Sequence, residues 1–191
     1  RRELLTGNRL EALNFCGFTA NKPVIMVIGG SLGSVIVNNA VRSILPELLK
    51  DFQVIHLCGK GKTDESLCAM PGYVQYEYIK KELPDLFALA DVVISRAGAN
   101  AICEISSLAK PNLLIPLSAK ASRGDQILNA RSFERQGFSM VLEEEELTTE
   151  SLLHAVSELN AHRADYIHAM EASPQSDAIG KILQLLEEVT V

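Results

Sequence analysis

The chain has 191 residues, 47% hydrophobic and 22% charged, which suits one compact domain with at most a small appendage and needs neither disulfides nor metal to fold. Its 18 basic against 24 acidic residues leave a net charge of -6, which argues against a nucleic-acid partner held by bulk phosphate contacts. The composition also excludes disordered, collagen-like and disulfide-scaffold classes, and no apolar run approaches the length of a membrane span.

Apolar periodicity switches repeatedly between strand-like and helix-like along the chain. β-rich runs fall at Val24–Ile28, Gln53–Cys58, Tyr73–Ile79, Asp91–Ser95, Asn112–Leu117 and Ser139–Leu142. Helical patterns fall between most of them, at Val35–Lys50, Leu83–Leu89, Ala99–Ala109 and Asp125–Gln136. The alternation predicts an α/β fold: a Rossmann-like, mostly parallel sheet of about six strands with helices on both faces. Beyond Leu147 the pattern predicts a helix capped by Thr148 or Thr149 with Glu150 in its first turn, broken at Pro174. A linker, Ala172–Gln175, then leads to a final amphipathic stretch, Ser176–Glu188. The acidic run Glu143–Glu146 reads as a solvated loop. The expected division is an entry segment over 1–20, a ligand-binding domain over 21–171 and a C-terminal helix over 172–191. Arg1 stands where a Met would begin a complete chain and no signal peptide is present, so a partial or processed chain is expected.

Cys16, Cys58, Cys68 and Cys103 form no C-x-x-C and are expected as reduced thiols. His56 sits inside a strand and reads as a packed histidine; His154, His162 and His168 fall in a polar region and read as solvated. No nucleophile, buried acid–base pair or metal-spaced cluster stands out, and neither a metal nor a cofactor is expected.

In an open parallel sheet ligands bind beyond the carboxyl ends of the strands, so the segments that follow them carry the chemistry. After the first strand comes Gly29-Gly30-Ser31-Leu32-Gly33-Ser34, opening a helix. Glycine lets a backbone approach a ligand, and free helix N–H groups attract phosphate, with Ser31 adding a hydroxyl; a turn that only packs strand on helix is the other reading. Counted from Gly29, a G-x-G-x-x-G pattern fails at Ser31 and Ser34, and the second strand ends without an acid for a ribose diol, so a dinucleotide site is not expected. Gly61-Lys62-Thr63 resembles the end of a P-loop, but His56 stands where its first glycine belongs.

A second strand–glycine–helix junction runs from Ser95 through Arg96, Gly98, Ala99, Asn100 and Ala101 to Glu104. Glu104 can accept two hydrogen bonds from a vicinal diol, or merely complement the helix dipole. A third loop, Ser118–Gly124, carries Lys120 and Arg123 and leads into Asp125 and Gln126. The two cations can meet phosphates, or be ordinary surface charges; Asp125 and Gln126 can read sugar hydroxyls. Three such loops on one sheet edge suggest a nucleotide-sugar site.

The stretches GGSLGS, HLCGKG, ELPDLFALADVVISRAGANAICE and IPLSAKASRGDQILNA together resemble the C-terminal half of the bacterial peptidoglycan GlcNAc transferases of the GT-B fold, in wording closest to members from low-GC Gram-positive bacteria. The resemblance covers essentially the whole chain. It implies transfer of GlcNAc from UDP-GlcNAc to the 4-hydroxyl of the MurNAc sugar of lipid I, with inversion, at the cytoplasmic face of the bacterial membrane. It assigns the donor to this half, and lipid I and the general base to an N-terminal domain that this sequence lacks. Membrane association rests on the resemblance alone. By the same resemblance Arg1 matches the hinge arginine that contacts the donor, Ser31 lies near the diphosphate and the backbone of Ile79 meets the uracil. Ala99, Asn100, Ala101 and Glu104 surround the donor, with Glu104 on the ribose, and Gln126 reads the GlcNAc hydroxyls. Asp125 replaces the first of two adjacent glutamines found in some relatives. Gly30, Gly33, Arg96, Gly98, Lys120 and Arg123 are further candidates for phosphate or sugar contacts. The alternatives are another GT-B enzyme of UDP-GlcNAc, such as a 2-epimerase, or a non-catalytic nucleotide-sugar-binding subunit.

Overall fold

The computed structural model describes residues 2–30 and 32–173. Six strands, β1 (Val24–Ile28), β2 (Gln53–Leu57), β3 (Tyr73–Tyr76), β4 (Val92–Ser95), β5 (Asn112–Leu114) and β6 (Met140–Val141), form one sheet in the order β3-β2-β1-β4-β5-β6. Every neighbouring pair is parallel. A 3-10 turn over Arg2–Thr6 precedes α1 (Arg9–Cys16); α2 (Val35–Asp51), α3 (Leu83–Leu89), α4 (Ala99–Ser107), α5 (Asp125–Arg135), α6 (Thr149–Ala161) and α7 (Arg163–Glu171) follow.

The two-residue period of a strand sorts the core into two layers. Ile25 and Val27 of β1 face a cluster built with Val37, Val41, Ile44 and Leu45 of α2 and Leu152, Val156 and Leu159 of α6. Val24 and Met26 face the opposite layer, with Leu13 of α1 and Leu86, Phe87 and Leu89 of α3. Helices thus cover both faces, which is why β1 is apolar at every position. Residues 2–18 belong to this second layer: Leu4, Ala12, Leu13 and Phe18 are buried in it, and Arg9 of α1 reaches Asp91 at 3.3 Å.

Three expectations change. β3 ends at Tyr76 rather than Ile79, and β5 at Leu114 rather than Leu117, because their ladder partners Leu57 and Ser95 are the last residues of β2 and β4. The apolar residues beyond therefore belong to the edge loops. The single helix expected after Leu147 begins as foreseen, with Thr148 and Ser151 forming a reciprocal cap, but is two helices. His162 leaves helical geometry (φ -105°, ψ 16°) and its ring nitrogen donates to the Glu158 carbonyl at 3.0 Å, closing α6 at the end of its buried stripe. The acidic run is a solvated loop only in part: Glu145 and Glu146 are exposed, but Glu144 is turned inward. Glu144–Glu146 is a 3-10 turn, and Glu143, Glu144 and Glu145 each engage a different partner: Arg131, Arg96 and Ser118. Ser176–Glu188 lies outside the described residues.

Candidate functional site

The strand order reverses between β1 and β4, so the loops leaving their carboxyl ends part there and open a crevice. The β1–α2 turn forms one wall. Gly30 is exposed with φ +88°, and a Cβ there would meet open space; Gly33, at φ +68°, packs inward, where a Cβ would fall 1.9 Å from the Cys58 carbonyl oxygen. So the first faces outward, while the second lets the turn lie directly on the end of β2. Ser34 caps α2 by accepting from the Val37 N–H at 3.3 Å.

The β4–α4 junction forms the other wall. Gly98 precedes α4 with no side-chain cap, Ala99 and Asn100 are exposed, and Ala101 and Glu104 are half-buried. An uncapped first turn presents N–H groups and the positive end of the helix dipole at the surface. Arg96, by contrast, points inward and is 7% exposed. Its guanidinium donates to the carbonyls of Ile115 (3.2 Å) and Pro116 (3.1 Å) and to Ser34 Oγ (2.7 Å), and pairs with Glu144. Arg96 therefore ties together the ends of β1, β4 and β5.

The third loop lies beside β5. Ser118 is buried; its hydroxyl donates to Glu145 Oε1 and accepts from the Lys120 N–H, while its carbonyl accepts from Ser122 Oγ. The Ser118 bond holds the Glu145 carboxyl below its ordinary range. Lys120, Arg123 and Asp125 are exposed around this anchored loop. Gln126 Oε1 accepts from the Leu117 N–H at 3.0 Å, so its amide is oriented and its NH₂ is left as a donor. Asn129 joins α5 to the second junction by donating to the Ala97 carbonyl at 3.2 Å. Ile79 is half-buried beyond β3, against the α1–α3 layer. Thus Gly30, Gly98 to Ala101, Glu104 and the Lys120–Gln126 loop lie along one sheet edge. Arg1 and Ser31 lie outside the described residues.

Sequence reading missed a buried support behind the first turn. His56 is fully buried; one ring nitrogen meets Tyr73 Oη and the other Asn38 Oδ1, both at 3.0 Å, while Asn38 Nδ2 donates to the Cys58 carbonyl at 2.9 Å. Burial, then the nearby Arg42 cation, push the His56 pKa down to about 3. The neutral ring must donate through one nitrogen, and with Asn38 Oδ1 only able to accept, that nitrogen is Nε2. The expected packed histidine is present; its partners, 17 and 18 residues away, left no local signal. A groove of about 360 Å³ lined by Asn38, Arg42, Lys62 and Thr63 flanks this support, and one of similar volume lies away from the crevice, between Leu4, Phe87, Leu108 and Met170.

Among the described residues no three His, Cys, Asp or Glu side chains are grouped to hold a metal ion, and no helix is long and apolar enough to cross a membrane.

The profile of the glycosyltransferase family 28 C-terminal domain matches residues 24–185. The UDP-N-acetylglucosamine--N-acetylmuramyl-(pentapeptide) pyrophosphoryl-undecaprenol N-acetylglucosamine transferase of Lachnospira eligens is 63% identical over 188 residues, covering 98% of this chain and 53% of the relative. The transferase of the same name from Lachnoclostridium phytofermentans is 62% identical, covering 99% and 53%. The chain spans about half the length of these curated relatives. Among solved structures, Acinetobacter baumannii MurG superposes with a TM-score of 0.68 at 22% identity, over 97% of this chain and 55% of that one. The glycotransferase of kitacinnamycin gives 0.67 at 20% identity, over 80% and 38%. At these identities the two structures share the fold with this chain.

Proposed function

The chain belongs to the family of glycosyltransferase family 28 C-terminal domains, and from that premise we propose that it is the donor-binding half of an inverting transferase that moves GlcNAc from UDP-GlcNAc onto lipid I, forming lipid II. The observation that carries the reading is the convergence of three loop–helix junctions, after β1, β4 and β5, at the switch point of a parallel sheet. The high identity to transferases of that name supports it.

In this reading the diphosphate lies against the β1–α2 turn, near Gly30 and Ser31, with the start of α4 facing it. As the glycosidic bond breaks, charge gathers on the diphosphate, and fixed N–H dipoles at the two helix starts stabilise it without reorganising. Glu104 accepts from the ribose hydroxyls, the Ile79 backbone meets the uracil and Arg1 reaches the donor from the hinge. Gln126, its carbonyl already held by Leu117, donates to a GlcNAc oxygen, while Asp125 accepts from a hydroxyl. Lys120 and Arg123 add positive charge to the donor's surroundings. No metal enters this scheme. The lipid acceptor and the base that takes its 4-hydroxyl proton belong to the other half of the full-length enzyme, which would work at the cytoplasmic face of the membrane. This chain alone then binds donor without transferring sugar.

The test is calorimetric titration of the chain with UDP-GlcNAc, UDP-glucose and UDP. Saturable binding with preference for UDP-GlcNAc is expected. A folded chain that binds none of the three, or one that makes lipid II unaided, would sink the assignment.

A further inference from the structure

Lys62 belongs to none of the three loops assigned to the donor, yet it holds one of them. Its Nζ donates to the carbonyls of Leu32 (2.7 Å) and Gly33 (3.0 Å), the two residues that carry the β1–α2 turn into the start of α2. The loop that presents Lys62 is fixed on its own account. Arg42 donates to the Lys62 carbonyl at 2.6 Å, the Gly61 N–H donates to Glu77 Oε1 at 2.8 Å, and the Asp64 N–H donates to Gln75 Oε1 at 2.9 Å. Gly59 allows the two loops to touch: a Cβ there would stand 2.5 Å from the Leu32 carbonyl oxygen. The ammonium is thus delivered to the turn from a braced backbone.

A trans peptide plane points its C=O and N–H in opposite directions. With the Gly33 carbonyl turned to Lys62, on the β2 side, the N–H of Ser34 in the same plane is turned the other way. That is the side of β4, where Ser34 Oγ already accepts from Arg96. β4 borders the crevice at the switch point. We infer that Lys62 is a positioning residue for diphosphate recognition: by holding the Gly33 carbonyl it aims the Ser34 N–H into the crevice. The inference rests on the donor reading above and extends it to a side chain on the far side of the turn, which need not touch the ligand.

The experiment compares the wild-type chain with Lys62→Met, which keeps the stem and removes the ammonium, and Lys62→Arg, which can still donate to both carbonyls. Affinity for UDP is read by calorimetry, affinity for uridine and the shift of the Ser34 amide proton on UDP saturation by NMR, and stability by the melting temperature of the unliganded chain. Lys62→Met is expected to weaken UDP about 3- to 10-fold, the scale of one hydrogen bond, to leave uridine unchanged and to shrink the Ser34 shift, with Lys62→Arg recovering most of the loss. Unchanged UDP affinity, or UDP and uridine weakened alike alongside a lower melting temperature, would overturn the inference and leave the donor reading standing. A folded wild-type chain that does not bind UDP would instead remove the donor reading, and this inference with it.

Discussion

Arg96 and Glu144 meet as an interior ion pair, with side chains 8% and 10% exposed, joining the end of β4 to the acidic turn after β6. Arg96 also saturates two carbonyls of the β5 edge, so the pair sits at the centre of a hydrogen-bonded knot rather than on the surface. Removing one member leaves the other charge buried without its counterion, which typically costs about 3–5 kcal/mol. Glu144→Ala should therefore shift the urea midpoint of the chain strongly. Glu146→Ala, two residues further along the turn and exposed, should barely move it. Equal small shifts for both variants would show that Glu144 is effectively solvated.

His56 makes stability depend on acid. Its folded pKa, about 3, lies below the 6.5 of an unperturbed histidine, so between these values the unfolded chain binds the extra proton. The contribution is complete above about pH 6.5 and is lost as pH falls toward 3, amounting to a few kcal/mol in order of magnitude. Urea midpoints from pH 7 to pH 4 should fall, and the slope should flatten in His56→Gln. An equally steep slope in the variant would assign the acid sensitivity to other groups.

The four thiols should divide into two kinetic classes. Cys16 and Cys58 are buried, and burial raises both thiol pKa values, Cys16 to about 11. Cys68 and Cys103 are exposed. Because the thiolate is the reactive form and access is required, iodoacetamide at pH 8 should label two cysteines quickly and the others only in denaturant. Peptide mapping by mass spectrometry reads which are which; rapid labelling of Cys58 would contradict its packing beneath the turn.

Two glycines of one turn should respond differently to the same methyl group. Both have positive φ, so alanine is strained at either by about 1–2 kcal/mol. Only at Gly33 does the methyl also collide with backbone, 1.9 Å from the Cys58 oxygen. Gly33→Ala should be destabilised well beyond Gly30→Ala in urea unfolding, while Gly30→Ala should act mainly on UDP affinity. Similar midpoints for the two variants would mean that the turn can move off β2.

Gln126 separates sugar recognition from nucleotide recognition. Gln126→Glu keeps an acceptor for the Leu117 N–H but loses the NH₂ donor. It should lower affinity for UDP-GlcNAc about 10-fold, since a missing donor leaves a sugar oxygen unpaired, and leave UDP almost unaffected. Loss of UDP binding to the same degree would place Gln126 on the nucleotide instead.

The layout was legible because its signals are local. Val24–Ile28 is apolar at every position and is the central strand; Leu83–Leu89 and the start of α2 at Val35 fall where periodicity set them. The three edge loops follow from the strand ends. What could not be read locally is long-range polar pairing. Glu143, Glu144 and Glu145 are acidic neighbours in a row, and a charge run normally faces water; their partners Arg131, Arg96 and Ser118 lie 12 to 48 residues earlier in the chain. Lys62 falls in the sequence within a failed P-loop pattern, and its role as a clamp depends on a loop contact that exists only once β1 and β2 are paired. The break at His162 was hidden because nothing in Ala161-His162-Arg163 forbids a continuous helix.

The register of β1 also governs how the chain can acquire its fold. Ile25 pairs with Val92, and all of α2, β2, β3 and α3 lies between them. No pair in the sheet is a hairpin, so every ladder must close a crossover before it gains a hydrogen bond. Such non-local pairing is slow, and as the polypeptide leaves the ribosome one side of β1 waits until Val92–Ser95 has been synthesised. During that interval Val24–Ile28 is a bare apolar edge, a template for another nascent copy. A synthesis arrested before Asp91 would leave that template permanently open, a vulnerability for chaperones rather than for the finished sheet to manage.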